Sequence, residues 1–339
     1  MHRSEITIDL SALRRNARRM RDVLGDAELW AVVKADGYGH GAVDVARAVL
    51  EEGAGALCVA TVAEALELRA ALPEARILVM GPSSDRDVEA AREARLELAV
   101  AGGAIPEGVP VHLKLDTGMG RWGLAELPEV PDGVVGLMTH LATADSDPGF
   151  AREQLRRFEE ATRRYSHLVR HAANSAAALR LPESRLDAAR CGIAIYGLSP
   201  FGVDPGDDGL EPVLRWTSHL AQVKELGPGD STGYGRRFVA SEPTHIGIVP
   251  VGYADGFRRD MTGTKVAIEG ERRRVVGTIS MDALAVELPE PLPVGTPVSL
   301  IGEGVLAEDH AAVADTINYE IVSQIDSRPG RARRTVVDA

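Results

Sequence analysis

From Leu29 onward the chain repeats one unit: a short apolar run, then a segment with helical spacing. The apolar runs are Leu29 to Val33, Ala56 to Ala60, Ile77 to Met80, Leu98 to Val100, Val111 to Leu115, Gly136 to His140, Leu168 to Ala172 and Ala188 to Ile195. Segments such as Val43 to Glu51 and Ala63 to Leu72 separate them. Strands alternating with helices dictate a parallel sheet buried on both faces, and eight such strands close a barrel. Leu98 to Val100 and Ala188 to Ile195 are the least regular runs. Without either, an open doubly wound sheet is the remaining solution, although no G-x-G-x-x-G follows the first strand. Upstream, Ile6 to Leu10 alternates as a strand does, Asp9 or Ser11 is placed to cap the Arg-rich helix that follows, and Gly25 stops it.

After Tyr196 the pattern changes. Ser199 to Pro212 is rich in Gly, Pro and Asp and reads as a linker or exposed loop. Beyond it, His245 to Val251, Lys265 to Ile268, Arg274 to Ile279, Ala283 to Leu288 and Pro297 to Ile301 are punctuated by Gly and Pro, as in an antiparallel β domain. One helix is expected over His310 to Gln324, because Val313, Ile317 and Ile321 recur every four residues. The expectation is an α/β chain with a (β/α)8 barrel over residues 1–212 and a mainly antiparallel β domain over 213–339. At 339 residues the chain is long enough for both. A net charge of −12 argues against nucleic acid or an anionic membrane as partner. Cys58 and Cys191 lie in strand-like runs and suit small buried hydrophobes. No metal-ligand cluster is evident. The first ten residues lack the apolar core of a signal peptide and no run is long enough to cross a bilayer, so a cytosolic protein is expected.

In a barrel of this kind chemistry collects where strands end. At those positions the sequence supplies Lys34, Asp116 to Arg121, His140, Asn174 with Ser175, and Arg190 with Gly192. The stretch Ala31 to Gly41, Ala-Val-Val-Lys-Ala-Asp-Gly-Tyr-Gly-His-Gly, is the most informative. A lysine at the carboxyl end of a buried strand loses solvation, its pKa falls, and its amine becomes a nucleophile for a carbonyl, as in a Schiff-base lysine. The glycine-rich turn after it leads to a helix N-terminus, which suits a phosphate.

These residues belong to an ordered set: Ala31 to Gly41, Lys114 to Arg121, Thr139 to Asp145, His171 to Leu179, Arg190 to Leu198, and Gly252 to Arg258 with Ser280 to Asp282. Over nearly its whole length the chain resembles the bacterial alanine racemases, two-domain enzymes that hold pyridoxal 5′-phosphate (PLP) on a lysine. The resemblance implies that Lys34 carries the cofactor. It gives the phosphate to the hydroxyls of Tyr38, Tyr319 and Ser175 and to the backbone amides around Gly192 and Ile193, with Asn174 counted among the cofactor residues. It sets Arg190 against the pyridine nitrogen with His140 nearby. Because an arginine does not readily give up a proton, it bonds that nitrogen without protonating it.

Racemisation needs a proton taken from one face of Cα and returned on the other, so two groups must flank it. The resemblance assigns these roles to Lys34, acting on the D-enantiomer, and Tyr234, acting on the L. A phenol with a solution pKa of about 10 is a poor base unless a cation stabilises its phenolate. Arg121 resembles the arginine that sets the cofactor hydroxyl and the substrate carboxylate, and Lys114 the lysine that is carbamylated in many members. Tyr253, Met281 and Asp282 resemble substrate-side residues that, with Tyr234, reach the cofactor of the partner subunit, which implies a homodimer. Cys191 and Leu141 stand where phenylalanine is common, and the short segment between Arg121 and His140 implies a trimmed helix. Alanine is the implied substrate and D-alanine for peptidoglycan the implied product. The alternatives are a serine or broad-specificity racemase and a non-catalytic PLP-binding protein, while a related decarboxylase fits the Arg190 position poorly.

Overall fold

The computed structural model describes residues 2–338. It divides into two compact units. One comprises Leu13–Phe201 with Asp208–Glu211; the other takes the residues up to Ala12, Gly202–Asp207 and everything from Pro212 on.

The first strand, β1 (Glu5–Asp9), ends in Asp9, whose carboxylate accepts the N–H of Ala12 at 3.0 Å and so caps the helix Leu10–Leu24. Gly25, at φ +65°, ends that helix. The eight runs then form β2 (Glu28–Val32), β3 (Ala56–Val59), β4 (Ile77–Val79), β5 (Glu97–Val100), β6 (Val111–Lys114), β7 (Val134–Met138), β8 (Val169–His171) and β9 (Ala188–Cys191). All pair in parallel in sequence order, and β2 closes on β9 with Trp30 opposite Arg190. The doubly wound alternative is thereby excluded. Two of the intervening helices carry full capping boxes, Thr61 with Glu64 and Ser84 with Asp87. The last strand is shorter than its apolar run: Gly192 turns the chain and Ile193–Tyr196 is a 3₁₀ turn. The helix expected in trimmed form between Arg121 and β7 is absent altogether, the segment running as bends and turns.

The second unit is built on a nine-stranded sheet of β10 (Leu214–His219), β11 (Gln222–Leu226), β14 (Thr244–Val249), β15 (Lys265–Ile268), β16 (Glu271–Val276), β17 (Leu284–Leu288), β18 (Pro297–Ile301) and β19 (Arg333–Val337), joined by β1. A two-stranded ribbon of β12 (Ser231–Thr232) and β13 (Phe238–Val239) accompanies it. Pairing is antiparallel except between β1 and β19. The N-terminal strand, which the expected boundaries place with the barrel, thus belongs to this sheet. The single helix expected over His310 to Gln324 is two, Ala307–Val313 and Asn318–Ser323, broken where Asp315 takes φ +51°. Within the described residues no helix is long and apolar enough to cross a membrane.

Candidate active site

The site begins where β2 ends. Lys34 follows β2 after one residue, Val33, and the chain then enters a left-handed turn: Ala35, Asp36, Gly37 and Tyr38 have φ between +50° and +61°. For residues with a Cβ this conformation costs about 1–2 kcal/mol each, so it persists only where its surroundings enforce it. Three contacts do so. The Glu64 carboxylate accepts the N–H of Ala35 at 2.7 Å, the Asp36 carboxylate accepts that of Ala42 at 2.8 Å, and the N–H of Gly37 reaches Val33 O at 3.0 Å. A Cβ on Gly37 would lie 3.3 Å from the backbone of Ala42. Replacing Glu64 by alanine, which also removes the acceptor for the N–H groups of Ala60 and Thr61, is expected to destabilise the barrel by about 1–3 kcal/mol in urea unfolding. Glu64→Gln, which keeps one acceptor oxygen, is expected to lose less.

Lys34 itself has a lowered pKa, first from burial and then from the Arg121 charge, against which Glu64 acts. Tyr38 is buried by the ring of Tyr196, 5.0 Å away, and burial raises its pKa, so it is a neutral phenol and a donor. Tyr196 in turn donates to Val32 O at 2.9 Å.

On the opposite side of the β2–β9 seam, Asn174 accepts the N–H of Ala177 at 3.0 Å and caps the helix Ser175–Arg180. Ser175 is therefore the first residue of that helix, not its cap, and its Oγ faces the N–H groups of Gly192 at 3.0 Å and Ala194 at 3.4 Å. A Cβ on Gly192 would come within 2.6 Å of the Tyr38 hydroxyl. Ile193 follows, wholly buried. The Tyr38 hydroxyl, the Ser175 hydroxyl, whose oxygen already accepts the Gly192 and Ala194 N–H groups, and the Ile193 amide thus form a cradle of neutral donors that only glycine at 192 leaves open. That donor set suits a phosphate dianion.

Arg190 lies inside the barrel. Its Nη1 donates to His171 Nδ1 at 2.7 Å and His171 O at 2.9 Å; its Nη2 donates to Thr139 O at 2.7 Å and stands 3.5 Å from His140 Nδ1. Burial lowers its pKa to about 10, so it stays charged near neutrality. Burial, then the Arg190 charge, pushes His140 down to about 3, leaving a neutral ring. Lys114 is on the same face of β6 as His112 by strand alternation. Burial, then Arg190 and Arg121, lower its pKa to about 8. Its Nζ and the guanidinium of Arg121 both approach the Trp122 ring, at 5.7 and 5.4 Å from the centroid. The loop bearing Arg121 is fixed by Asp116, whose carboxylate accepts the N–H groups of Gly118, Met119 and Gly120.

The remaining expected residues are on the sheet unit. Tyr234, Tyr253 and Met281 are exposed at 71%, 43% and 50%. They sit on three loops: the N–H of Tyr253 bonds Ser280 O and that of Ala254 bonds Met281 O, backbone to backbone, and the Thr278 side chain donates through Oγ1 to Tyr234 O at 2.8 Å. Asp282 is held by Arg331 at 2.6 Å and Arg3 at 3.5 Å, so its carboxylate shapes the loop. Tyr319 is the second residue of the helix Asn318–Ser323. Residues not singled out from sequence include Glu64, which grips the turn, and His171, which grips Arg190. His171 opens the His-Ala-Ala-Asn-Ser run, and that position was the available signal.

A closed (β/α)8 barrel with a desolvated lysine beside a phosphate-type cradle, followed by an antiparallel sheet unit, defines the class of lysine-bearing cofactor barrels that carry a β domain. Residues 8–200 match the family profile described as alanine racemase, N-terminal domain, and residues 213–333 that of the alanine racemase C-terminal domain. The chain is 39% identical to an alanine racemase of Streptococcus gordonii, over 98% of each chain. It is 40% identical to that of Symbiobacterium thermophilum, over 96% of this chain and 95% of that one. Among solved structures it is similar to the alanine racemase of Streptomyces lavendulae, with a TM-score of 0.92, 36% identity and coverage of 100% and 98%. For that of Pseudomonas aeruginosa the values are 0.92, 34%, 99% and 100%. The chain belongs to the alanine racemase family.

Proposed function

We propose that this enzyme interconverts L- and D-alanine with PLP held on Lys34, and that Lys34 and Tyr234 are its two proton carriers. The observation that carries the reading is the half-buried Lys34 amine at the start of a left-handed turn, with the Tyr38, Ser175 and Gly192 cradle in the same barrel. PLP supplies an aldehyde carbon for the amine and an electron-withdrawing ring that acidifies the substrate Cα–H. Lys34 would take or return the proton on one face of the substrate Cα. Tyr38, Ser175 and the amides around Gly192 and Ile193 orient by holding the phosphate, and the helix start at Asn174 adds its dipole. Arg190 would stand against the ring nitrogen, with the neutral His140 ring near its Nη2. Holding no proton it can readily release, Arg190 keeps that ring a weak electron sink, which disfavours transamination. Arg121 positions the substrate carboxylate.

Tyr234, Tyr253 and Met281 are large residues left in water on a single chain, which supports a homodimer in which Tyr234 of the partner subunit completes each site. Asp282, through Arg331 and Arg3, holds that loop in shape. The reading places the protein in the cytosol, where D-alanine for peptidoglycan is made. Incubation with single L-amino acids in deuterated water tests it. Cα deuteration with inversion of alanine, and far less for serine, is predicted; exchange without inversion, or none, contradicts it.

Lys114 is proposed to carry a carbamate. At a pKa of about 8 a useful fraction of its amine is neutral near neutral pH and can attack CO2, and the resulting anion would sit among Arg121, Arg190 and Lys34. With carbon-13 bicarbonate, a carbamate resonance is expected that grows as pH rises toward 8 and is absent in Lys114→Ala. Its absence from the unsubstituted protein counts against the modification.

A further inference from the structure

Arg190 is a fully buried cation, and among the described residues no carboxylate lies within ion-pair distance of it. An isolated buried charge is costly unless something answers it. The backbone carbonyls of His171, Thr139 and Ala172 answer it directly, and a chain of side chains leads on from it through the barrel interior. Arg190 Nη1 is 2.7 Å from His171 Nδ1, His171 Nε2 is 2.8 Å from His112 Nδ1, and His112 Nε2 is 2.8 Å from Glu97 Oε2. Glu97 opens β5 and receives a bidentate contact from Arg76 at 2.7 and 3.1 Å. The chain therefore runs from the N-terminal end of the barrel strands to the end where Lys34 and Arg190 lie.

Its ends fix its protons. A guanidinium can only donate, so His171 must accept at Nδ1 and carry its proton on Nε2. That proton is given to His112 Nδ1, which forces the His112 proton onto Nε2, and an ionised carboxylate, which can only accept, receives it. With neutral rings, no other arrangement satisfies all three bonds. Burial first, with Arg190 adding to it, lowers the pKa of both His112 and His171; the Glu97 carboxylate opposes this at His112 without reversing it, so both rings are neutral. Glu97 is kept ionised because the bonds from His112 and Arg76 outweigh the opposing effect of burial. The packing is fitted to this arrangement. The Trp30 ring lies 4.5 Å from His171 and edge-on to His112 at 5.6 Å, and a Cβ at Gly136 would come within 2.1 Å of His112 Nδ1.

We propose that Glu97 and His112 are positioning residues for Arg190: acting through His171, the Glu97 carboxylate is the terminal acceptor that fixes which way every proton in the chain points. Arg190 is thereby fixed in orientation, its Nη1 on His171 Nδ1 and His171 O and its Nη2 on Thr139 O and Ala172 O. The effect on turnover rests on the racemase reading above; the proton arrangement does not.

Nitrogen-15 histidine labelling of the full-length, cofactor-loaded protein, with His112→Gln and His171→Gln spectra for assignment, reads the tautomers directly. Both rings are expected as Nε2–H, with a coupling across the His171 Nε2 to His112 Nδ1 hydrogen bond. Either ring protonated on Nδ1, or doubly protonated, overturns the proposal without any variant. Glu97→Leu is expected to abolish the coupling and scramble both tautomers, with kcat down roughly tenfold or more, as when an outlying partner of a functional group is removed. Glu97→Gln, which keeps an acceptor, is expected to retain the coupling. A Glu97→Leu protein with unchanged tautomers and coupling refutes the proposal whatever its turnover. Should the protein racemise no amino acid, the reading of function fails while the spectra still decide the proton chain.

Discussion

Lys34→Ala is expected to lose turnover by roughly 10⁴-fold or more, because the change removes both the attachment point of the cofactor and one of the two proton carriers. The barrel should survive it. Lys34 lies in the turn after β2, whose geometry is held by Glu64, Asp36 and the backbone and by none of the lysine's own side-chain bonds. The neutral amine is the nucleophile, and burial lowers the Lys34 pKa from its ordinary 10.5. The rate at which the cofactor-free protein captures PLP should therefore rise with pH, with a midpoint below 10.5. A midpoint at or above that value would mean that the amine is not desolvated. An exogenous amine added to Lys34→Ala should restore cofactor turnover weakly, since it returns a base but not its placement.

Tyr234→Phe should lower racemisation in both directions by about 10²–10⁴-fold, the range for removal of a positioned acid or base. With its side chain 71% exposed and its neighbouring contacts made through the backbone carbonyl, the change should move unfolding free energy by less than about 0.5 kcal/mol. The two-carrier account makes a sharper demand. Lys34 acts on one enantiomer, so D-alanine should still exchange its Cα hydrogen with solvent while L-alanine neither exchanges nor forms. Equal loss of exchange from both enantiomers would assign both proton transfers to one group.

The barrel was legible because its signal is local and periodic: eight apolar runs, each followed by helical spacing, leave little choice of architecture. Lys34 was legible for a similar reason, since an apolar run ending in lysine and then glycines places an amine at a strand end. The left-handed turn was not. Glycines at 37, 39 and 41 announce positive φ, but that Ala35 and Asp36 adopt it depends in part on Glu64, 29 residues on, which holds the Ala35 amide. Partner choice was hidden in the same way. β1 alternates as a strand should, yet nothing local says that it pairs with β10 and, in parallel, with β19. The four-residue periodicity from Val313 to Ile321 runs across a break at Asp315, because spacing records which face is apolar and not whether the backbone is continuous. His112 lies two residues before Lys114 and so shares its face, but its bonds to His171 and Glu97 depend on the register of three strands.

The account rests on which amine holds the cofactor, and the chain has only four lysines, Lys34, Lys114, Lys224 and Lys265. Borohydride reduction of the PLP-loaded protein, followed by peptide mapping by mass, tests this most directly. The visible-edge absorption of the bound cofactor should vanish and its reduced mass should appear on the peptide containing Lys34. Label on Lys114, Lys224 or Lys265 instead, or no covalent label at all, would contradict the account.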